Sequence, residues 1–189
     1  MGGNVIYKNV KQHAAVSDKK VVRIKTMGGA IDVNHALYGA DVVTMGGNIH
    51  IHKAKEFVKA LTLGGNITID AIDGYVDAMT AGGDIEVTMT GDPDKKKRHV
   101  KLASKGGNIK LTVPKNLSMD LELEIAYTRD SAKNYRFHSD LEIDETHSGR
   151  WQTGKGEAKK YLYGKAVVKG GKHKVKISTV NGNIYLERK

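Results

Sequence analysis

The chain contains no cysteine among its 189 residues, which excludes disulfide frameworks, cysteine-ligated zinc sites and thiol catalysis. It has only two prolines beside 22 glycines, so it is neither a proline-rich linker nor a collagen-like chain. No apolar run approaches the ~18 residues of a membrane-spanning segment. The N-terminus also lacks the charged-then-apolar layout of a signal peptide.

The glycines form a repeat instead. Gly-Gly pairs begin at Gly2, Gly28, Gly46, Gly64, Gly82 and Gly106, and a degenerate copy stands at Asn181-Gly182. Three successive intervals are 18 residues long. A fixed period of this length, with the same flanking residues in each copy, is typical of a repeat architecture.

Apolar and polar residues alternate on both sides of each glycine corner. Ile67 and Ile69 follow one corner, and Val76 and Ala78 precede the next. Alternation with period two indicates strands with one buried face, and such a face is buried when successive units stack ~4.8 Å apart. The sequence therefore predicts an all-β fold, a single-stranded parallel β-solenoid with turns of about 18 residues and about seven turns in the stack.

Each residue of the corner motif is expected to have a structural role. The first glycine is expected to adopt dihedrals that other residues reach only with strain, and the second to let neighbouring turns approach closely. The next residue, as in Asn66, is expected to take left-handed dihedrals or to bond its copy in the adjacent turn. Ala30 breaks this series. The threonine two residues before the corner, as in Thr62, is expected to satisfy backbone groups at the bend.

We expect a single domain over residues 1–189. Regular turns are predicted over 1–114, an irregular antiparallel hairpin or capping region over 115–170, and a final turn over 171–189. Gly170-Gly171 separates two alternating segments, which indicates a hairpin at that point.

Two repeat intervals are longer than 18 residues, by eight residues around Gln12–Lys19 and by six around Asp92–Arg98. Both insertions are expected to be loops beside the stack, where added residues are tolerated.

Three segments resemble a known family. They are the "GGNI-x-I" units with a threonine before the corner, "VPKNLSMDLELEIAY" at 113–127, and "GGKHKVKISTVNGNIYLERK" at 170–189. Together they resemble the bacterial putative-adhesin family, once catalogued as a domain of unknown function. The resemblance implies a β-solenoid at the bacterial cell envelope or secreted, without assigned catalytic residues. Because residue 1 falls inside a repeat, we expect the signal peptide to be missing from this sequence.

A metal site is the strongest chemical alternative. His50 and His52 share the outward face of one predicted strand, with Asp32 and Asn34 on the preceding turn and Asp70 on the following one. A histidine–carboxylate cluster is therefore geometrically possible. That face must be polar in any case, so we expect solvated side chains, no metal site and no cofactor. The repeat also lacks the second glycine-spaced aspartate of calcium-binding β-rolls.

We expect no enzymatic activity and no small-molecule substrate. Most polar residues recur at equivalent positions and so serve the structure. The non-repeated candidates all lie in the irregular region: Arg136, His138, Asp140, Asp144, Glu145, His147, Arg150 and Trp151. They contain no nucleophile motif and no paired-acid spacing.

Two functions remain open. The first is an envelope-associated or secreted scaffold or adhesion module that binds a protein or a cell-surface polymer. The second is a polyanion-binding module, since the net charge is +10 and lysine-rich loops include the run Lys95, Lys96, Lys97 and Arg98. Only 6% of the residues are aromatic and none adjoins this run, whereas polyanion platforms normally place aromatic rings among basic residues. This favours the scaffold.

An apolar strip on the outward side of the predicted strands also needs a partner. Its residues are Val43, Met45, Leu61, Leu63 and Met79. A strip of this extent seldom stays exposed in a soluble monomer. We expect it to be covered either by the irregular region or by a second copy of the chain.

Overall fold

The computed structural model describes residues 3–7, 20–131, 134–153 and 156–189, and over these ranges the chain is all-β with no helix. This confirms the all-β part of the prediction. The strands are β1 Val5–Tyr7, β2 Val22–Thr26, β3 Ile31–Ala36, β4 Ala40–Thr44, β5 Ile49–Thr62, β6 Ile67–Thr80, β7 Ile85–Met89, β8 Val100–Ser104, β9 Ile109–Val113, β10 Met119–Thr128, β11 Phe137–Ser139, β12 Asp144–His147, β13 Lys159–Val168, β14 His173–Val180 and β15 Ile184–Arg188.

The strands belong to one 15-stranded mixed sheet that contains two rows of parallel strands. The upstream ladder comprises the strands before each corner: β2, β4, the second halves of β5 and β6, β8, β14 and β10. The downstream ladder comprises the strands after each corner: β1, β3, the first halves of β5 and β6, β7, β9, β15 and β11. The sheet curls, because β5 and β6 each contribute to both ladders.

Equivalent residues of successive repeats pair in register. In the downstream ladder Ile49 pairs with Ile67, which pairs with Ile85. The inward side chains of both ladders form one apolar cluster, while the alternate residues, such as Thr68, face outward and are half-buried. The alternation read from the sequence thus gives the correct inward and outward faces.

The threonine ladder at the corner is confirmed. The Thr62 hydroxyl donates to the Gly47 carbonyl of the preceding turn at 2.9 Å and accepts the Gly65 amide of its own turn at 3.2 Å. Thr44, Thr80 and Ser104 bond their corners in the same way. These buried hydroxyls satisfy backbone groups that the bend removes from the strand ladders.

The asparagine positions form a second ladder. The Asn48 side-chain oxygen accepts the Asn66 amide at 2.9 Å, and the Asn66 oxygen accepts the Asp84 amide at 2.8 Å. Left-handed dihedrals are not used here, since Glu56, Lys169 and Asn181 are the non-glycine residues with positive φ in the described ranges. Ala30 has no side-chain oxygen and interrupts the series, as predicted.

The expectation that the first glycine of each corner adopts dihedrals strained for other residues is wrong. The described glycines with positive φ are Gly39, Gly91, Gly156, Gly170 and Gly171, and none belongs to a corner. The second glycine of each pair is required by close approach. A Cβ on Gly65 would lie 2.2 Å from the Gly47 carbonyl oxygen of the preceding turn, and Gly83 and Gly107 are placed alike.

The C-terminal strands do not lie at the end of the two parallel ladders. Strand β14 pairs with β8 on one edge and with β10 on the other, and β15 lies between β9 and β11. The chain runs from β9 to β10 without placing a strand beside β8 or β9. Residues 171–189 later fill these two positions as β14 and β15. The last parallel strands of the upstream and downstream ladders are β10 and β11, respectively.

The hairpin predicted at Gly170-Gly171 is wrong. Strands β13 and β14 do not pair with each other, because β10 lies between them. Strand β13 runs antiparallel along the outer edge of β10, and β12 pairs antiparallel with β13. These antiparallel strands cover the exposed edge at this end of the sheet, where a row of unpaired backbone groups would otherwise remain. The predicted insertion at Gln12–Lys19 lies outside the described residues.

Candidate functional sites

Four side chains come together on the outward face of the downstream ladder, and we call them the histidine cluster: Asp32 on β3, His50 and His52 on β5, and Asp70 on β6. Asp32 stands directly opposite His50 in the parallel pairing of β3 and β5. His52 lies two residues along the same strand and so on the same face. The parallel register thus brings residues from three successive turns to one spot.

The hydrogen bonds of the cluster converge on one oxygen. His50 Nε2 and His52 Nδ1 each lie 2.9 Å from Asp70 Oδ2. The other ring nitrogens face Asp32: His52 Nε2 lies 3.5 Å from Asp32 Oδ1 and His50 Nδ1 lies 4.0 Å from Asp32 Oδ2. The two imidazole ring centres are 3.9 Å apart. Asp32, His50 and His52 are half-buried and Asp70 is exposed. Both histidines hydrogen-bond Asp70 and face Asp32, whereas the sequence predicts side chains that contact only solvent.

The structure corrects the prediction for Arg98. Its side chain is 0% exposed and cannot form part of a surface for polyanions. Its guanidinium lies 2.6 Å from the Asp73 carboxylate and donates to the carbonyls of Thr90 and Asp92. Arg98 therefore anchors the insertion at 92–98 against β6, since a buried cation needs an acidic partner and carbonyl acceptors.

The neighbouring lysines differ in their exposure to solvent and in their ion pairs. Lys96 pairs with Glu56 at 2.6 Å, and this hydrogen bond raises the pKa of Lys96. Lys95 lies 3.3 Å from Asp92 but remains exposed. Lys97 is exposed, and no acidic side chain of the described ranges lies within ion-pair distance of it. Of the four residues in the run, Lys95 and Lys97 are thus the ones that face solvent.

A second basic surface was missed by the sequence analysis. We call it the basic–aromatic patch, and its residues are Lys59, Tyr75, His99, Lys101, Lys174 and Lys176. Together with Asp77 they line a surface depression of about 290 Å³. Tyr75 also stacks on Phe57, with ring centres 5.5 Å apart. The repeat register contains the signal for this patch, because Lys59, Asp77, Lys101 and Lys176 pair with one another across the upstream ladder.

The apolar strip is on the surface. The exposed fractions are 43% for Met45, 47% for Leu63 and 37% for Met79, while Val43 and Leu61 are half-buried. Val43, Leu61 and Met79 pair in register. The described part of the irregular region does not cover them, because it packs at the far end of the ladder beyond β14. Covering of the strip by the irregular region, one of the two expectations, is therefore wrong for the described residues of that region.

A column of alternating charge runs beside the strip. Asp41, Lys59, Asp77 and Lys101 follow one another in register along the upstream ladder. Opposite charges on neighbouring strands attract at this separation. The column therefore stabilises the ladder. It also places alternating negative and positive side chains along the border of the strip.

The non-repeated polar residues of the irregular region do not converge on one site. His138 stacks on Tyr185, and Asp140 pairs with Arg188 at 2.8 Å, which lowers the pKa of Asp140. The Arg136 backbone amide donates to the side-chain oxygen of Asn183 at 3.0 Å. Trp151 contacts Arg129 and Lys160 instead. The others, Asp144, Glu145, His147 and Arg150, are exposed.

Comparison with known proteins gives no relative: no family model, curated protein or solved structure matches the chain. In the described ranges no helix could cross a membrane.

Proposed function

We propose that the chain is a non-enzymatic β-solenoid module of the bacterial cell envelope or of the secreted proteins, which acts as a scaffold or in adhesion through its long side surface. The location rests on the family resemblance alone. Recovery of the native protein from the cytoplasmic fraction of its cells would contradict it.

The solenoid part of the proposal is supported by the two parallel ladders. Like residues pair at steps of 18 along the chain, as Ile49 does with Ile67, and the corner threonines and asparagines bond from turn to turn. The antiparallel strands β12 and β13 lie at one end of the sheet. They act as a cap in this proposal, because an open edge would pair with other chains.

The observation that carries the function is the exposed apolar strip. Its occupant in this proposal is a second copy of the chain. A copy turned end for end places Asp41 opposite Lys101 and Lys59 opposite Asp77, so that these central pairs have opposite sign, while the flanking Arg23 would face Lys176. A two-fold interface requires a patch that is complementary to itself in this way.

Self-association is tested by light scattering of the wild type and of the Met45→Glu/Leu61→Glu variant. We expect the wild type to form a dimer and the variant to be a monomer, because two carboxylates in the strip would be desolvated on association. The matched control is Thr68→Glu/Thr88→Glu, which adds the same charges to the outward face of the downstream ladder. A monomeric wild type, or an equal effect of both variants, would contradict the proposed interface.

Polyanion binding is the second candidate function, and the basic–aromatic patch favours it. The patch supplies the combination that the run at 95–98 lacks, namely lysines around the aromatic rings of Tyr75 and His99. Aromatic rings stack on bases or sugars while lysines neutralise anionic groups.

This second candidate is tested with a fluorescent single-stranded oligonucleotide. We expect Lys101→Ser/Lys174→Ser to weaken binding and to reduce the slope of log affinity against log salt by about 0.7 per lysine. The control, Lys95→Ser/Lys97→Ser, removes the same charge from the insertion loop and should change affinity less. If the loop variant loses more affinity than the patch variant, the patch is not the binding surface.

A further inference from the structure

We propose that Asp32, His50 and His52 bind one divalent transition-metal ion of the zinc type, and that Asp70 is a positioning residue that orients both imidazole rings. This inference is independent of the proposed scaffold function. It rests on the geometry of the histidine cluster.

The contacts with Asp70 determine which ring nitrogens are free when both rings are neutral. An ionised carboxylate only accepts, so in that form His50 directs Nε2–H and His52 directs Nδ1–H at Asp70. His50 Nδ1 and His52 Nε2 then carry lone pairs, and both face the Asp32 carboxylate. In this form three acceptor groups converge without a donor between them, which is the arrangement that a metal cation requires of its ligands.

The separations suit such an ion. One donor atom from each of Asp32, His50 and His52 can be chosen so that all three lie within 4.8 Å of one another. Ligands bound to zinc at ~2.0–2.2 Å lie about 3–3.5 Å apart in tetrahedral geometry. The 3.5 Å between His52 Nε2 and Asp32 Oδ1 meets this value, whereas the 4.0 Å from His50 Nδ1 ends on the other oxygen, Asp32 Oδ2, so side-chain rotation must accompany metal binding.

The donor set selects the class of metal. Two imidazole nitrogens and one carboxylate oxygen suit zinc and its neighbours in the first transition row, whereas calcium and magnesium prefer oxygen ligands throughout. The three ligands come from one face of the sheet, and their side chains are partly exposed. The remaining coordination position therefore faces solvent, as in sites that keep a water ligand.

Asp70 is not a metal ligand in this proposal, but a carboxylate that hydrogen-bonds the two ligand histidines. Metal-binding histidines commonly donate their second N–H to a carboxylate, which fixes the tautomer and the ring orientation. Here one oxygen accepts from both rings. The paired strands β3, β5 and β6 hold all four residues in register, so the site is assembled by the fold before the metal binds.

The test is calorimetric titration of the full chain with Zn²⁺, with Mg²⁺ and Ca²⁺ as competitors. We expect the wild type to bind one equivalent of Zn²⁺ that neither competitor displaces. His50→Gln/His52→Gln should abolish this binding, and Asp70→Asn should weaken it about 10–100-fold. His35→Gln is the matched control, because His35 lies exposed on β3 outside the cluster, and it should bind as the wild type does.

Bound Co²⁺ separates the ligands from the positioning residue. At saturation, the visible absorption of Co²⁺ should be the same in Asp70→Asn and in the wild type, since the ligand set is unchanged. Circular dichroism verifies that each variant is folded, which is expected because the replaced side chains face outward. Failure of the wild type to bind Zn²⁺, or unaltered binding by folded His50→Gln/His52→Gln, would overturn the metal site. A different Co²⁺ spectrum in Asp70→Asn would overturn the role given to Asp70.

Discussion

Replacement of Ile67 with aspartate is expected to unfold the chain. The Ile67 side chain is 0% exposed and lies between Ile49 and Ile85 in the downstream ladder. An aspartate there would place a carboxylate among apolar side chains with no cation near it, at a cost of several kcal/mol. Since a native domain is stable by only about 5–15 kcal/mol, we expect most of the folded population to be lost, which urea titration followed by circular dichroism measures.

Thr68→Asp is the matched control for this experiment. It introduces the same charge one residue further along β6, where the side chain faces outward between His50 and Glu86. Surface substitutions usually change the free energy of unfolding by about 0.5 kcal/mol or less. If both variants lost the same stability, the assignment of inward and outward faces would be wrong.

The strands and their faces were predictable because they depend on local periodicity. Alternation with period two determines which side chains of a strand share a face, and the 18-residue repeat determines which residues become neighbours in the next turn. The pairing of Ile49 with Ile67 follows from the two-residue alternation and the 18-residue repeat alone. The threonine and asparagine ladders follow in the same way, because each residue type recurs at a fixed place beside the corner.

The position of β14 and β15 within the stack was not predictable from periodicity. Strands β8, β14 and β10 carry the same inward alternation, as the matched residues Val100, Val175 and Leu121 show. Each could pair with either of the others, so the pattern does not say which one lies in the middle. Nonlocal pairing decides this order, and it also prevents the hairpin expected at Gly170-Gly171.

Two features of the surfaces were missed for a related reason. The sequence shows residues 95–98 as four consecutive charges, whereas the structure buries Arg98 against Asp73. The basic–aromatic patch combines residues as distant in sequence as Lys59 and Lys174. The members of the histidine cluster were found from the register, but the shared hydrogen-bond acceptor, Asp70 Oδ2, depends on side-chain rotation and has no signature in the repeat.

Gly65→Ala is expected to destabilise the chain strongly although it adds a single methyl group. The new Cβ would lie 2.2 Å from the carbonyl oxygen of Gly47 in the preceding turn. Because the clashing atom belongs to the backbone, no side-chain rotation relieves it, and the two turns must separate. Overpacking of this kind typically lowers the free energy of unfolding by about 1–3 kcal/mol, and separation of the turns would also weaken the bond from Thr62 to Gly47.

Gly64→Ala, at the adjacent residue, distinguishes close approach from backbone strain as the reason for the glycine pair. A Cβ on Gly64 would meet its nearest neighbour, the Gly46 carbonyl oxygen, at 3.7 Å, which is ordinary contact. Gly64 is not among the glycines with positive φ, so alanine should fit there and gain up to about 1 kcal/mol by restricting the unfolded chain. Thermal unfolding of the two variants is the measurement. Equal losses would mean that the corner needs the conformational freedom of both glycines, whereas a loss confined to Gly65→Ala would show that the spacing between turns selects the second glycine.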